Sequence, residues 1–459
     1  MSTPGPDMQP RKSVDAGRAS PLVVATASLA LGLPSALLIF TGNNVGRAAY
    51  DATAYHIRFI RDLVRDFPSF DVSNPLTATT PGYHMLLASI AQVVGDSTTA
   101  LRLVSLSIGM AFLATVSAWI SRRMAPAAAL LLSLPLAASI YVVGSAAWTA
   151  PDNLAWLMVA AICFLCVREP RGKWDLLLAA AILVPLVAVR QIHIWCAAVI
   201  WTAAWSDAWK RGGGVLGATR AALPWFLATL PAAACLGFFV AKWGGLAPPR
   251  FQNEVQRFSL ATPAFVLLQI AVLSVGFLPW IARPLRRAWD SERAQMLLAA
   301  TAGLLLALVP ETTASFEDGR FGGWWGVVGM LPEFGRTSLA MVVAAPLGAV
   351  VVCGLLLGTS LRNRVILGAA LAAFVAALTA NHYCWQRYHE PFLLVLLPVL
   401  AVLQREPKRS IHGLELAAPL ALLAMLAVIT VLGTRGEPIP EDALPAPGHL
   451  APSDRFEND

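Results

Sequence analysis

The sequence predicts an all-α polytopic membrane protein, and three observations carry that expectation. Of 459 residues, 57% are hydrophobic and only 13% are charged, where a soluble domain is nearer half apolar and a quarter charged. The apolar residues gather in repeated runs of about 20, the length that spans a bilayer as helix. Basic residues fall in alternate short turns between those runs, as they do where loops face the cytoplasm. That distribution also accounts for the net charge of +7 without invoking nucleic acid.

The first run, 22–41, follows a basic tail, 1–21, that carries Arg11, Lys12 and Arg18. It is long and no small-x-small cleavage site follows it, so it reads as a span rather than a signal peptide. Further spans are expected at 99–120, 126–145, 152–167, 175–189, 192–206, 221–241, 262–282, 294–310, 338–358, 365–380, 391–404 and 415–433, about thirteen in all. The even-numbered turns then hold Arg122/Arg123, Arg168/Arg171/Lys173, Lys210/Arg211/Arg220, Arg283/Arg286/Arg287/Arg293, Arg362/Arg364 and Arg405/Lys408/Arg409. With the tail, these make 20 of the 34 basic residues. The N-terminus is therefore placed inside, and the Pro- and acid-rich segment 434–459 outside as a disordered tail.

The transmembrane domain is expected to run from 22 to 433, with a long first outer loop at 42–98. Within that loop an amphipathic helix is expected from Thr53 to Phe67. The apolar stretch Gly82–Val94 is too short to span and would invert every later loop if it did. It reads as a re-entrant or surface-lying helix. The remaining outer segments are 145–152, 190–191, 242–261, 311–337 and 381–390.

Five places on that side carry chemistry. Asp51, in Tyr50-Asp51-Ala52-Thr53-Ala54-Tyr55-His56, is suited to take a proton from a sugar hydroxyl. A solvated loop acid is its plainer reading. His56 follows at helical spacing, and Thr79-Thr80-Pro81-Gly82-Tyr83 adds a stiff turn in which Thr80 and Tyr83 offer hydroxyls. Asp152 opens a span, where a helix N-terminus alone would favour an acid; orienting a substrate is compatible with that. Arg190 and Gln191 interrupt the apolar stretch 183–204, with His193 and Trp195 next. A charge there lines a cavity or marks a hairpin turn. Arg250, in the loop after Trp243-Gly244-Gly245, is suited to bind phosphate. Finally His382, Arg387, Tyr388 and Glu390 crowd a membrane edge, where an aromatic belt with a snorkelling arginine is the simpler reading.

No metal or other cofactor is expected. His382, His389 and Glu390 form no tight ligand motif, although a divalent ion is not foreign to such chemistry. Cys163 and Cys166 form a C-x-x-C inside a span and read as small core residues. Phosphate-loop, dinucleotide and nucleophile-elbow motifs are missing from the sequence.

As an ordered set, the five places resemble the GT-C superfamily of polyprenyl-phosphate-sugar glycosyltransferases. More narrowly they resemble the dolichyl-phosphate-glucose α-1,2-glucosyltransferases. Tyr50-Asp51 to Tyr55-His56 is similar to that family's Y-x-D-E-x-F-H. Thr79-Thr80-Pro81-Gly82-Tyr83 resembles T-T-x-P-G-x-Y, Arg190-Gln191-Ile192-His193-Ile194-Trp195 resembles R-Q-T-N-I-x-W, and Trp243-Gly244-Gly245-Leu246 loosely echoes N-G-G-I. The acid pair is reduced to Asp51, and Ile192 and His193 replace a threonine and an asparagine. Trp385 to Pro391 is more similar to bacterial GT-C proteins.

The resemblance implies a GT-C-like bundle in the lipid bilayer, placed in a bacterial inner membrane with its site on the outer face. It implies a polyprenyl-phosphate sugar donor, a hexose (glucose by the narrower likeness), and a glycan or lipid-linked acceptor. Transfer would be inverting with Asp51 as base. A transporter or flippase of a lipid-linked glycan would share the outer cavity but needs polar residues through the midplane.

Overall fold

In the computed structural model, residues 17–252, 257–404 and 413–435 are described. The expected tails beyond them, and the basic loop Arg405/Lys408/Arg409, lie outside the described residues. Helices stand at all thirteen places where the sequence predicts spans: α1 Pro21–Phe40, followed by the short α2 Arg47–Asp51, α3 Arg58–Arg65 and α4 Gly82–Val94, then α5 Thr98–Ser121, α6 Pro126–Ala137, α7 Ile140–Ala147, α8 Asp152–Val167, α9 Lys173–Val189, α10 Cys196–Lys210 and α11 Gly214–Trp243. The second half holds α12 Thr262–Ser291, α13 Arg293–Leu308, α14 Trp324–Met330, α15 Leu339–Leu357, α16 Leu361–Thr379, α17 Glu390–Gln404 and α18 Gly413–Gly433. Seven of these helices are long and apolar enough to cross a membrane, or eight if the bent pair α6–α7 is one span. The chain is therefore a multi-pass membrane protein.

Local chemistry explains many of the boundaries. Ser20, Ser97, Ser338 and Ser360 each cap a helix N-terminus through the side-chain oxygen, satisfying a backbone donor that has no partner inside the helix. Pro126 opens α6 at a position where its missing N–H costs nothing. Gly244 closes α11 with φ +73, a left-handed conformation that glycine adopts freely.

Three details depart from the sequence expectation. The span at 126–145 is broken: α6 and α7 meet at 68°, with Pro135 in the last turn of α6 and Ser139 at the break. The span at 192–206 begins as a 3₁₀ turn, Gln191–Trp195, before α10. The 311–337 segment is not bare loop but carries α14 and a small hairpin, β1 Glu333–Phe334 with β2 Thr337–Ser338. The all-α class stands apart from that hairpin.

The amphipathic helix expected at Thr53–Phe67 is present as a π-helical turn, Ala52–Ile57, continuing into α3. Phe59, Ile60 and Leu63 form its buried face. It packs on α4, which buries Leu87, Ala88 and Ala91. The N-terminus of α4 lies hard against α9, since a Cβ on Gly82 would stand 2.6 Å from the carbonyl oxygen of Ala188. Only glycine fits so close a backbone approach. The α12–α15 and α1–α5 pairs make the broadest helix contacts.

Candidate functional site

Asp51 ends α2 and the π turn that follows carries His56. Such turns insert a residue into a helix and frequently mark functional positions. Thr53 anchors the turn, its hydroxyl donating to the Ala49 carbonyl at 2.9 Å and to Asn44 Oδ1 at 3.1 Å. Asp51, about one third exposed (34%), accepts from Arg387 Nη1 at 3.1 Å.

His56 Nδ1 lies 2.8 Å from His84 Nε2. His84 is fully buried and its Nδ1 has no partner among the described residues. A buried N–H without a partner is rarer than a bare acceptor, so the favoured tautomers have His84 donating through Nε2. This leaves His56 with an outward Nε2–H. His56 is held well below the usual histidine range, chiefly by burial and then by His84, Arg387 and Arg190. It is therefore a neutral donor beside two cations.

Arg190 stands where α9 gives way to extended backbone (φ −149, ψ 107) before the 3₁₀ turn. Its guanidinium pairs with Asp152 at the first residue of α8. That acid also faces the positive end of the helix. The preceding turn is tightly held. Ser145 accepts from Asn153 N and donates to the Ala150 carbonyl, both at 3.0 Å; Asn153 Nδ2 donates to the Val142 carbonyl at 2.9 Å. Thr149 sits at φ +47, a strained conformation for a β-branched residue, costing about 1–3 kcal/mol.

Tyr388 joins the two pairs. It lies in the 3₁₀ turn Gln386–Tyr388 and its hydroxyl accepts from Arg387 Nη2 at 3.0 Å. The Arg387 and Arg190 guanidiniums stand 4.9 and 5.0 Å from its ring centroid. Trp385 adds a second ring 4.6 Å from the Arg387 guanidinium. Cation–π contact helps an aromatic face hold two like charges in one place. The Nε atoms of both arginines are buried and have no hydrogen-bond partner among the described residues.

The turn itself is locked from behind. Buried Glu390 accepts from Ser139 Oγ at 2.5 Å and from Gln386 Nε2, and Gln386 Oε1 accepts from Trp324 N at 2.8 Å. Glu390 thus ties the α6–α7 break to the turn that presents Arg387 and Tyr388.

The structure joins Asp51, His56, Asp152, Arg190, Arg387 and Tyr388, and it gives the other predicted residues different surroundings. Gln191 is a stitch: its side chain accepts from Thr80 N at 3.0 Å and donates to the carbonyls of Ala78 at 3.0 Å and Leu246 at 3.1 Å. Thr80 also donates to the Val187 carbonyl at 2.7 Å. Tyr83 is fully buried, with its hydroxyl 2.6 Å from Ser105 Oγ. His193 is buried against Trp156, accepts from Trp195 Nε1 at 3.2 Å, and has no partner for Nε2 among the described residues. Arg250 is exposed and makes no ion pair among the described residues. His382 lies 5.1 Å from the Tyr383 ring, tilted by 60°, and belongs with the 315–320 loop, where burial first and Arg257 second lower its pKa.

Sequence reasoning missed three participants. His84 is the one histidine in the run Tyr83–Ala91 and ends the Thr79–His84 turn; what the sequence did not show is its pairing with His56. Arg102 is buried and donates to the Asn43 carbonyl at 3.1 Å and Asn44 Oδ1 at 3.0 Å, holding the chain between α1 and α2. Ser139 had no signal, because the break in its span was not foreseen. Among the described residues no three His, Cys, Asp or Glu side chains are grouped to hold a metal ion.

No family model and no curated protein sequence matches the chain. Two solved structures are similar in shape, both of ArnT from Cupriavidus metallidurans. The crystal structure bound to undecaprenyl phosphate shares 12% identity, covers 90% of this chain and 88% of that one, and gives a TM-score of 0.40. The apo structure shares 13% identity over 89% of each chain, with a TM-score of 0.38. Likenesses of this size leave the functional reading to the residues of the site.

Proposed function

We propose that the chain is a GT-C-type membrane glycosyltransferase. It moves a hexose, glucose by its motif resemblance, from a polyprenyl-phosphate donor to a glycan or lipid-linked acceptor on the outer face of the membrane. The observation that carries the reading is the pair of guanidiniums on Tyr388, each with an unengaged Nε and each beside a carboxylate. Arginine suits a phosphate because its planar fork makes charge-assisted hydrogen bonds to two oxygens.

In this reading Arg190 and Arg387 grip the donor phosphate, and the His56 Nε2–H adds a neutral donor. Asp51 takes the proton of the acceptor hydroxyl. The hydroxyl oxygen forms the new bond to the anomeric carbon, while the bond from that carbon to the phosphate oxygen breaks. Its electron pair leaves with the lipid phosphate, and the configuration inverts. Negative charge grows on the phosphate in the transition state, where fixed cations stabilise it without rearranging. Asp152 keeps Arg190 aimed.

Purified protein in lipid vesicles, given a synthetic polyprenyl-phosphate hexose, should release free polyprenyl phosphate only when an acceptor is also present. Movement of the intact lipid-linked sugar between leaflets, with its phosphate bond unbroken, would replace this reading with a flippase. The outer placement is tested separately in cells. In a background lacking native cysteines, Arg250→Cys should react with an impermeant thiol reagent and Arg211→Cys should not. Labelling of Arg211→Cys alone reverses the topology.

A further inference from the structure

Helix α13 has 16 residues, about 24 Å of helix, against a hydrocarbon core of about 30 Å. Its lipid-facing side exposes Leu298, Leu305 and Leu308, and that apolar surface does not stop where the helix ends. Val309 is 78% exposed, and beyond it Met330 is 85% and Phe334 63% exposed, with Val327 and Leu331 also open. The hairpin bearing Phe334 sits on the end of α13: Thr312 Oγ1 and Thr337 Oγ1 both donate to the Ala307 carbonyl, at 2.9 and 3.4 Å, and Thr312 N donates to the Arg336 carbonyl at 2.9 Å. Trp325 and Val328 point inward and are buried, so the outward face of α14 is apolar by construction.

We infer that residues 324–334 form a collar seated in the membrane interface, with Val327, Met330, Leu331 and Phe334 among the lipid acyl chains. The occupant is the bilayer itself, because the patch is joined to the end of α13, a helix shorter than the hydrocarbon core is thick, and carries its apolar surface onward. An apolar face this open on a single protein marks an interaction surface, and bilayer contact removes it from water at no cost in new protein structure. Polar groups stand at its edge: Glu333 is exposed, and Arg336 pairs with Glu311 at 2.9 Å. The collar is also fastened to the turn that carries Arg387. Trp324 N donates to Gln386 Oε1 at 2.8 Å, and Trp325 Nε1 to the Cys384 carbonyl at 2.6 Å. Seating the collar therefore fixes the depth of the guanidinium pair below or at the level of the lipid headgroups, whatever reaction those cations serve.

Spin labels test this directly. Met330→Cys, Phe334→Cys and, as a control in the same segment, Glu317→Cys are labelled with a nitroxide in vesicles of phosphatidylethanolamine and phosphatidylglycerol. Labels at 330 and 334 should relax more with oxygen, which partitions into lipid, than with a water-soluble nickel complex. The label at 317 should show the reverse order. Preference for nickel at 330 and 334 would overturn the collar, as would shielding from both reagents, which would mean that protein covers the patch. The unaltered chain offers a second readout free of any folding defect. Lipids with a photoreactive group on the acyl chain should label peptides spanning 324–334, and failure to label them while α13 is labelled also overturns the inference.

Discussion

The two ends of the bundle use the same residue types to opposite effect. At the end bearing Arg168 and Arg362, Arg362 engages all three guanidinium nitrogens. It donates to Asp207 at 2.6 Å, to Asn363 Oδ1 at 3.1 Å, and to the carbonyls of Cys166 at 2.8 Å and Arg168 at 3.3 Å. Arg171 adds bonds to Asp207 and to the carbonyls of Cys166 at 3.0 Å and Ala203 at 2.7 Å. Together they satisfy the last carbonyls of α8, which have no partner inside the helix. At the other end, Arg190 and Arg387 each hold one carboxylate and leave Nε without a partner among the described residues. A cation whose donors are filled by backbone is a structural part. One held beside a ring with a donor in reserve has capacity for a ligand.

Four substitutions sharpen or break that contrast. The largest effect is expected at Asp51. Asp51→Asn should lower transfer by about 10²–10⁴, the usual loss for a missing general base, with unchanged thermal stability because the residue is a third exposed. Near-normal transfer would move the base to Asp152. Next comes the opposite end. Arg362→Met leaves Asp207 and the α8 carbonyls short of a donor and should destabilise the fold by about 3–5 kcal/mol, measured by denaturation in micelles. Its activity per folded molecule should stay normal, and a specific loss of catalysis would erase the distinction between the ends. Arg190→Lys should reverse that pattern. A lysine cannot fork onto two oxygens, so donor turnover should fall about 10- to 100-fold, with little change in melting temperature.

The smallest effect concerns protons. Because the folded chain holds His56 below its ordinary range, the unfolded chain binds the extra proton first. Stability is full above about pH 6.5 and falls as pH drops below it. His56→Gln should lessen the slope of the melting temperature between pH 7 and pH 5 without abolishing it, because His382 is also held low. An unaltered slope would mean that another group titrates there.

The sequence made the helices legible because bilayer thickness imposes an apolar composition on them, although only seven, or eight with the bent pair, reach the length of a span. It made Arg190 and Arg387 legible for a related reason: a guanidinium set in apolar surroundings has a large desolvation cost and stands out. Their meeting on Tyr388 was not legible, since it joins positions almost two hundred residues apart. Gln191 shows the converse error. It shares the polar interruption with Arg190, yet its bonds to Ala78, Thr80 and Leu246 make it a tie between loops. Glu390 lies in a chemistry-rich run but faces Ser139 and Gln386. Adjacency in sequence says which residues are near the mouth, whereas side-chain direction decides which of them face a ligand.

If the proposed transfer is right, the ion pair between Asp51 and Arg387 imposes an order on events. While Arg387 Nη1 donates to Asp51 Oδ2 at 3.1 Å, that oxygen is occupied, and in the proposed reaction an acceptor hydroxyl arriving early has to compete for it. A donor phosphate that drew Arg387 to itself would free that oxygen at the moment a sugar is within reach. On the proposed reading, such a lock would favour donor before acceptor.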